Sequence, residues 1–380
     1  MKARLNTLLR PAAAALVLAV LSGCSLFNSS SGPKPAALEA QVSSAGLRQV
    51  WQARVDGVQF PLSVAATASR SFVVAGSDGA VQALAADTGA LLWRGEVGAK
   101  LAAGVGSDGR FAAVVTRNNE LVVLDAGKPL WRKALNSTVS TAPLVAGERV
   151  FVLTVDRQVQ AFDAADGRRL WDLRRPGDPL TLSQPGVIAA YKDTLVVGQG
   201  ARLAGVDPLR GTLRWEANVA TPRGTNEVER LADLVGPLAR VGDTLCARAF
   251  QSAVGCVNAE RGAAQWSRNT GGTRGVAADV RQVYGVDASD RITAWKIANG
   301  DIVWSAEQLT NRRLSAPLAT ARGLLVGDLE GYVHLLAADS GKTLARLPTD
   351  GSPVAAAPVQ LDGVVLVATR NGGLFALRTD

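Results

Sequence analysis

Histidine occurs once in 380 residues, methionine once and cysteine three times. A single histidine excludes a histidine-rich metal centre. Three cysteines fall short of a four-thiolate zinc site or a disulfide-dense small scaffold. Charge is also sparse, at 19% of residues against 47% hydrophobic, which is not the balance of a disordered polymer. The net charge of +8 is scattered, its densest clusters being pairs such as Arg168-Arg169, Arg174-Arg175 and Arg312-Arg313. With no block of five like charges, a nucleic-acid footprint is excluded. No apolar run has spanning length: Pro11 to Leu21 is about half of the roughly 20 residues a membrane helix requires.

Catalytic and phosphate-binding patterns are missing as well. Gly104 to Gly109 matches G-x-G-x-x-G, but the strand-like Arg110-Phe111-Ala112-Ala113-Val114-Val115 follows where a dinucleotide site requires a helix. Gly341-Lys342-Thr343 ends like a P-loop, yet Leu336 stands where its first glycine belongs. No G-x-S-x-G elbow occurs. His334 shares a repeat position with Gln82, Gln160 and Thr293, which reads as a solvated polar slot on a strand. The carboxylates Asp78, Asp87, Asp166, Asp207 and Asp339 fall at turns, where Asp caps the backbone. These observations predict no catalytic residue, no metal, no cofactor and no small-molecule substrate.

The N-terminus carries an address. Lys2, Arg4 and Arg10 precede the apolar run, which ends Leu21-Ser22-Gly23-Cys24. That pattern resembles a bacterial lipobox, in which the cysteine thiol is lipidated and becomes the mature N-terminus. Residues 1–23 are therefore expected to be a lipoprotein signal peptide and Cys24 the lipidation site. Ser25 is compatible with the outer membrane. Residues 24–45, rich in Ser, Pro, Ala and Gly, read as a flexible linker.

The remainder repeats. Trp51, Trp93, Trp131, Trp171, Trp215, Trp266 and Trp304 are 42, 38, 40, 44, 51 and 38 residues apart, and six of them close a Gly-x-x-x-Trp unit. A seventh unit, Gly341 to Ala345, has Ala in the tryptophan position. Phe72 to Gly76, the turn Ser77-Asp78-Gly79 and Ala80 to Leu84 read as a hairpin, and Asp87-Thr88-Gly89 turns the chain into a third strand ending at Trp93. Another short strand, often with Pro (Pro143, Pro185, Pro237, Pro317, Pro358), precedes each hairpin. Four short strands per repeat of about 42 residues predict an all-β propeller of four-stranded antiparallel blades. The last repeat stops after three strands, and Leu47 to Trp51 has no repeat in front of it. The N-terminal strand is therefore expected to complete the last blade of a domain spanning 46–380. The count gives eight blades; seven with one oversized repeat is the alternative.

The A-x-D-x-x-T/S-G-x-x-x-W repeat resembles the blades of quinoprotein dehydrogenases. Together with the lipobox, the linker and the N-terminal closure, the whole layout is more similar to the BamB family of outer-membrane assembly lipoproteins. That resemblance implies a non-enzymatic scaffold at the periplasmic face of the outer membrane, lipid-anchored, binding the POTRA domains of BamA within the assembly complex. It also implies a partner surface made from an L-x-L-R loop and an acidic segment. Leu180-Thr181-Leu182-Ser183 and Glu227-Val228-Glu229-Arg230-Leu231-Ala232-Asp233-Leu234-Val235 occupy those places. Leu180, Leu182 and Asp233 match, whereas Ser183 and Val235 replace an arginine and a carboxylate. Leu180 and Leu182 are expected to be apolar anchors, and Glu227, Glu229, Arg230 and Asp233 a polar rim. The surplus of the longest repeat falls around 221–235, where a long loop on a rigid scaffold is a place for function.

Cys246 and Cys256 sit on the two arms of one hairpin. A three-residue loop centred on Gln251 would set them opposite each other and permit a disulfide; a two-residue loop would set them on opposite faces. Two other functions stay open: a PQQ-dependent dehydrogenase-like enzyme, which needs calcium-binding carboxylates and commonly adjacent cysteines, and a propeller that binds cell-wall polysaccharide.

Overall fold

The computed structural model describes residues 33–40, 45–175, 180–222, 224–228 and 230–379. The expected signal peptide, residues 1–23, and the expected lipidation site Cys24 lie outside these residues. The regular structure is all strand: eight four-stranded antiparallel sheets. Seven are consecutive in the chain, with bounds 65–96, 101–134, 144–173, 188–218, 234–269, 276–306 and 318–348 (blades one to seven). The eighth joins Val359–Leu361, Val364–Ala368 and Gly373–Arg378 to the N-terminal strand Arg48–Arg54. Their pairing runs from Arg48 opposite Arg378 to Arg54 opposite Gly373. The long repeat has the usual four strands and keeps its surplus in the loop before Leu234, so the ring has eight blades, not seven.

Two-faced burial explains the sequence of the middle strands. Phe72 to Ala75, Ala112 to Val115 and Val364 to Val367 are near-continuous apolar runs because each lies between two strands and two neighbouring blades. The same geometry corrects the reading of the polar slot. Gln82, Gln160, Thr293 and His334 are all buried, not solvated. They lie on third strands, which are covered by blades on both faces.

The glycines and tryptophans tie each blade to the next. The Trp131 ring lies over the turn glycine Gly167 of the following blade, and its indole Nε1 donates to Ala164 O at 2.8 Å. Trp51, Trp171, Trp266 and Trp304 bond likewise to Ala86, Pro208, Ile297 and Ala338. Gly167 has φ +70°, and a β-carbon there would lie 2.6 Å from the indole. Its substitution Gly167→Ala is therefore expected to cost about 2 kcal/mol or more, through left-handed strain plus overpacking, read as a lower midpoint in urea. The alanine that stands in the tryptophan position of the seventh unit has a physical cause. In the composite blade the third and fourth strands, Gly373–Arg378 and Arg48–Arg54, come from distant parts of the chain, so no turn glycine joins them. Ala345 is fully buried there, packed with Leu47 and Leu335.

Cys246 and Cys256 are directly opposite in register, because the hairpin loop is three residues long and Gln251 takes φ +49°. The two sulfurs form a disulfide between Cα atoms 4.1 Å apart. The loop it closes is short, so reduction is expected to cost at most about 3 kcal/mol and leave the ring assembled. Thermal melts with and without reductant would show this as a lower Tm with an unchanged strand spectrum.

The composition of 24–45 reads as flexible throughout, but Ala36–Asp380 forms one compact unit. Ala36 N donates to Thr310 O at 2.9 Å and Leu38 packs on the core between blades six and seven. The docked region therefore starts before residue 46.

Candidate functional site

In an antiparallel blade the second-to-third hairpin and the link to the next blade emerge at the same strand ends. Three such segments from neighbouring blades converge: the hairpin of blade three at Arg157, the link at 180–187 and the link at 230–233. Asp233 organises them. Its Oδ1 accepts from Arg157 Nη2 at 2.7 Å and Nε at 3.0 Å, and its Oδ2 accepts from Leu182 N at 2.9 Å. Arg157 Nη2 also donates to Leu180 O at 3.3 Å. The Asp233 and Arg157 side chains are only 15% and 16% exposed. Two charge-assisted bonds from one guanidinium to Oδ1 and a backbone bond to Oδ2 hold the carboxylate in one orientation.

This changes the role read from the sequence. Asp233 belongs to the internal frame that shapes the loop, not to a solvated rim. Arg157 has no sequence signal, because it comes from another repeat, 76 positions away, and no local spacing links the two. The loop is tied at its other end by Arg175, which donates to Glu216 at 2.9 Å. Burial pushes the Glu216 carboxyl up, but Arg175 and Arg202 outweigh it and hold it below the usual range.

The two leucines divide their work. Leu180 is 36% exposed, whereas Leu182 is half-buried and lines a cavity of about 40 Å³ with Arg157, Asp233, Leu153 and Leu234. The cavity has room for a water or two and not for a ligand. Ser183 and Glu227 are exposed and Arg230 is half-buried; Glu229 lies outside the described residues. Val228, not singled out in the sequence, is 71% exposed beside Glu227. Val235 is buried in the first strand of blade five, opposite Arg248. The chemistry on offer is two exposed apolar side chains, Leu180 and Val228, one on each of the two links that the Asp233–Leu182 bond joins.

The centre of the ring holds a channel of about 1000 Å³, walled by the innermost strands. Its charged lining residues are Arg240, Arg274 and Arg370, with no carboxylate among them. Among the described residues no three His, Cys, Asp or Glu side chains gather as a metal site. A quinone held with calcium needs carboxylate ligands there, so the residues present do not fit that cofactor. Gly104 to Gly109 forms strand and hairpin, not the start of a helix.

The family model described as outer membrane protein assembly factor BamB matches residues 77–306. The chain is 35% identical to the protein of that name from Bordetella pertussis, over 96% of this chain and 95% of that protein. The chain belongs to the BamB family. The protein of the same name from Burkholderia pseudomallei is 35% identical over 87% of this chain and 88% of its own length. The Moraxella catarrhalis BamB crystal structure superposes with a TM-score of 0.79 at 21% identity, covering 87% of this chain and 99% of that one. A quinohemoprotein alcohol dehydrogenase from Comamonas testosteroni reaches 0.65 at 15% identity, over 90% of this chain and 78% of its own. Both likenesses are of fold; the BamB relatives are named as assembly factors, not as enzymes.

Proposed function

We propose that this BamB-family chain is a non-enzymatic scaffold of the outer-membrane protein assembly machinery. It docks on the POTRA region of BamA through the loops carrying Leu180, Leu182, Val228 and Glu227, with Asp233 and Arg157 as positioning residues. Membership of the family supports the machinery; the Asp233 hub, which ties the link carrying the exposed Leu180 to Arg157 and to the link carrying the exposed Val228, is the observation that carries the docking face. Apolar anchors on a fixed frame are what an interface core requires. Lipidation at Cys24 holds the propeller at the periplasmic face of the outer membrane. Several acyl chains, at about 0.8 kcal/mol per buried CH2, make such anchoring effectively permanent.

Two measurements test this reading. The purified propeller, immobilised, is expected to retain the soluble POTRA region of BamA; no retention at micromolar concentration overturns the docking. A Cys24→Ala chain is expected to stay unlipidated and leave the outer-membrane fraction; finding it processed and still in that fraction overturns the anchoring.

A further inference from the structure

A buried cation lies outside the docking face, in the link between blades six and seven. Arg312 is 2% exposed, and each of its three guanidinium nitrogens has a hydrogen-bond partner. Nε donates to Asp328 Oδ2 at 2.8 Å, Nη2 pairs with Glu330, and Nη1 donates to Ala36 O at 3.0 Å. Asp328 is itself buried and accepts from the backbone of Glu330 and Tyr332. Two arms of the arginine are thus spent on holding it in place, and the third reaches the N-terminal segment.

The loop that presents Arg312 is built for this. Asn311 and Arg313 on either side have φ +59° and +51°, in the left-handed region that a β-carbon disfavours. Asp290 holds the turn by accepting from the backbone N of Arg313 at 2.6 Å and of Leu314 at 3.0 Å. The conformation points Thr310 O at Ala36 N and the guanidinium at Ala36 O, so both backbone groups of one residue are captured. Arg346 donates to Glu39 O at 2.8 Å, and Leu38 between them packs on the core that contains Leu309 and Leu314. All the polar contacts are to backbone, with Leu38 as the apolar peg.

We infer that residues 36–39 form a strap seated in a site made by Thr310, Arg312 and Arg346, and that this site is where the N-terminal tether leaves the propeller. The strap shortens the tether. From Cys24 to Ala36 a fully extended chain spans at most about 43 Å, against about 83 Å if it were free as far as Leu47. The Arg312 link emerges at the same strand ends as the 180–187 and 230–233 links, so the strap is seated at the end of the propeller that carries the docking loops. Only this consequence rests on the anchoring and docking readings; the strap does not.

Hydrogen exchange at the Ala36 amide tests it, in the full chain with and without Cys24→Ala. Exchange is expected to be at least tenfold slower than in a free peptide of residues 33–40. Leu38→Asp, which alters no blade residue, is expected to abolish that protection. Arg312→Lys keeps a charge for Asp328 but loses the forked reach, so it is expected to reduce protection several-fold. Amides of Ile302–Ala306 and Tyr332–Leu336 should stay protected in both variants, which separates strap release from unfolding. Peptide-like exchange at Ala36 in the wild-type chain overturns the inference, as does protection that survives Leu38→Asp. The result is the same in the Cys24→Ala chain whether or not the protein is lipidated, so failure of the anchoring reading is distinguishable.

Discussion

A chain carrying Leu180→Asp with Leu182→Asp is expected to keep its eight blades and bind the POTRA region of BamA at least 30-fold more weakly. Interface anchors of this kind typically cost 2 kcal/mol or more when lost, and each 1.4 kcal/mol is tenfold. Leu180 is exposed and belongs to no strand, so a charge there leaves the blades alone. Leu182 is half-buried and lines the small cavity over the Asp233 hub, outside every strand. Asp233→Ala is expected to weaken binding as severely, because it frees Leu182 N and the Arg157 guanidinium together and the loop loses its shape. Its effect should hardly change with salt. Glu227→Ala, at an exposed position, should have a small effect that fades at high ionic strength. Titration by fluorescence anisotropy at two salt concentrations separates these cases. A strongly salt-dependent Asp233→Ala would return Asp233 to the rim. A folded double-leucine variant binding at wild-type strength would move the docking face elsewhere.

Asp328→Ala is expected to be the most destabilising single change outside the hydrophobic core. Asp328 is completely buried, accepting from Arg312 Nε and sharing a 2.9 Å hydrogen bond with His334 Nε2. Truncation leaves a buried guanidinium short of a partner and a histidine with none from this carboxylate, a class of change that costs about 3–5 kcal/mol. For a ring of this size that is a fall in Tm of roughly 6 °C. Asp328→Asn keeps the size and one acceptor and should lose less. The effect depends on pH. Burial pushes the Asp328 carboxyl up, but the hydrogen bonds from His334, Tyr332 N and Arg312 outweigh it and hold it below the usual range. A carboxyl depressed in the folded state contributes stability that is fully present above its unfolded value near 4 and lost as pH falls through the folded value. The wild-type advantage over Asp328→Ala should therefore be full at pH 7 and shrink in strong acid. Urea melts at neutral and acid pH would show it. An advantage that grows toward acid would contradict the assignment.

The sequence by itself determined the ring. Recurrence of Gly-x-x-x-Trp reveals the blades, because seven turn glycines are each covered by the indole of the preceding unit, a contact that returns with the period of the repeat. The unpaired strand at Leu47 to Trp51 and the three-stranded last repeat reveal the closure for the same reason: edge pairing must be completed somewhere. The apolar loop residues Leu180 and Leu182 were legible through family resemblance. Only the tertiary structure decided what each polar group does. Asp233 reads as a surface carboxylate until Arg157 arrives from a different repeat. His334 reads as solvated until the blades on both sides cover it. The strap at 36–39 reads as loose chain because its polar contacts use backbone atoms, which leave no mark in side-chain composition. Repetition records contacts made within a blade and to the next one; contacts made once, between distant repeats, have no period and so become visible only when the ring closes.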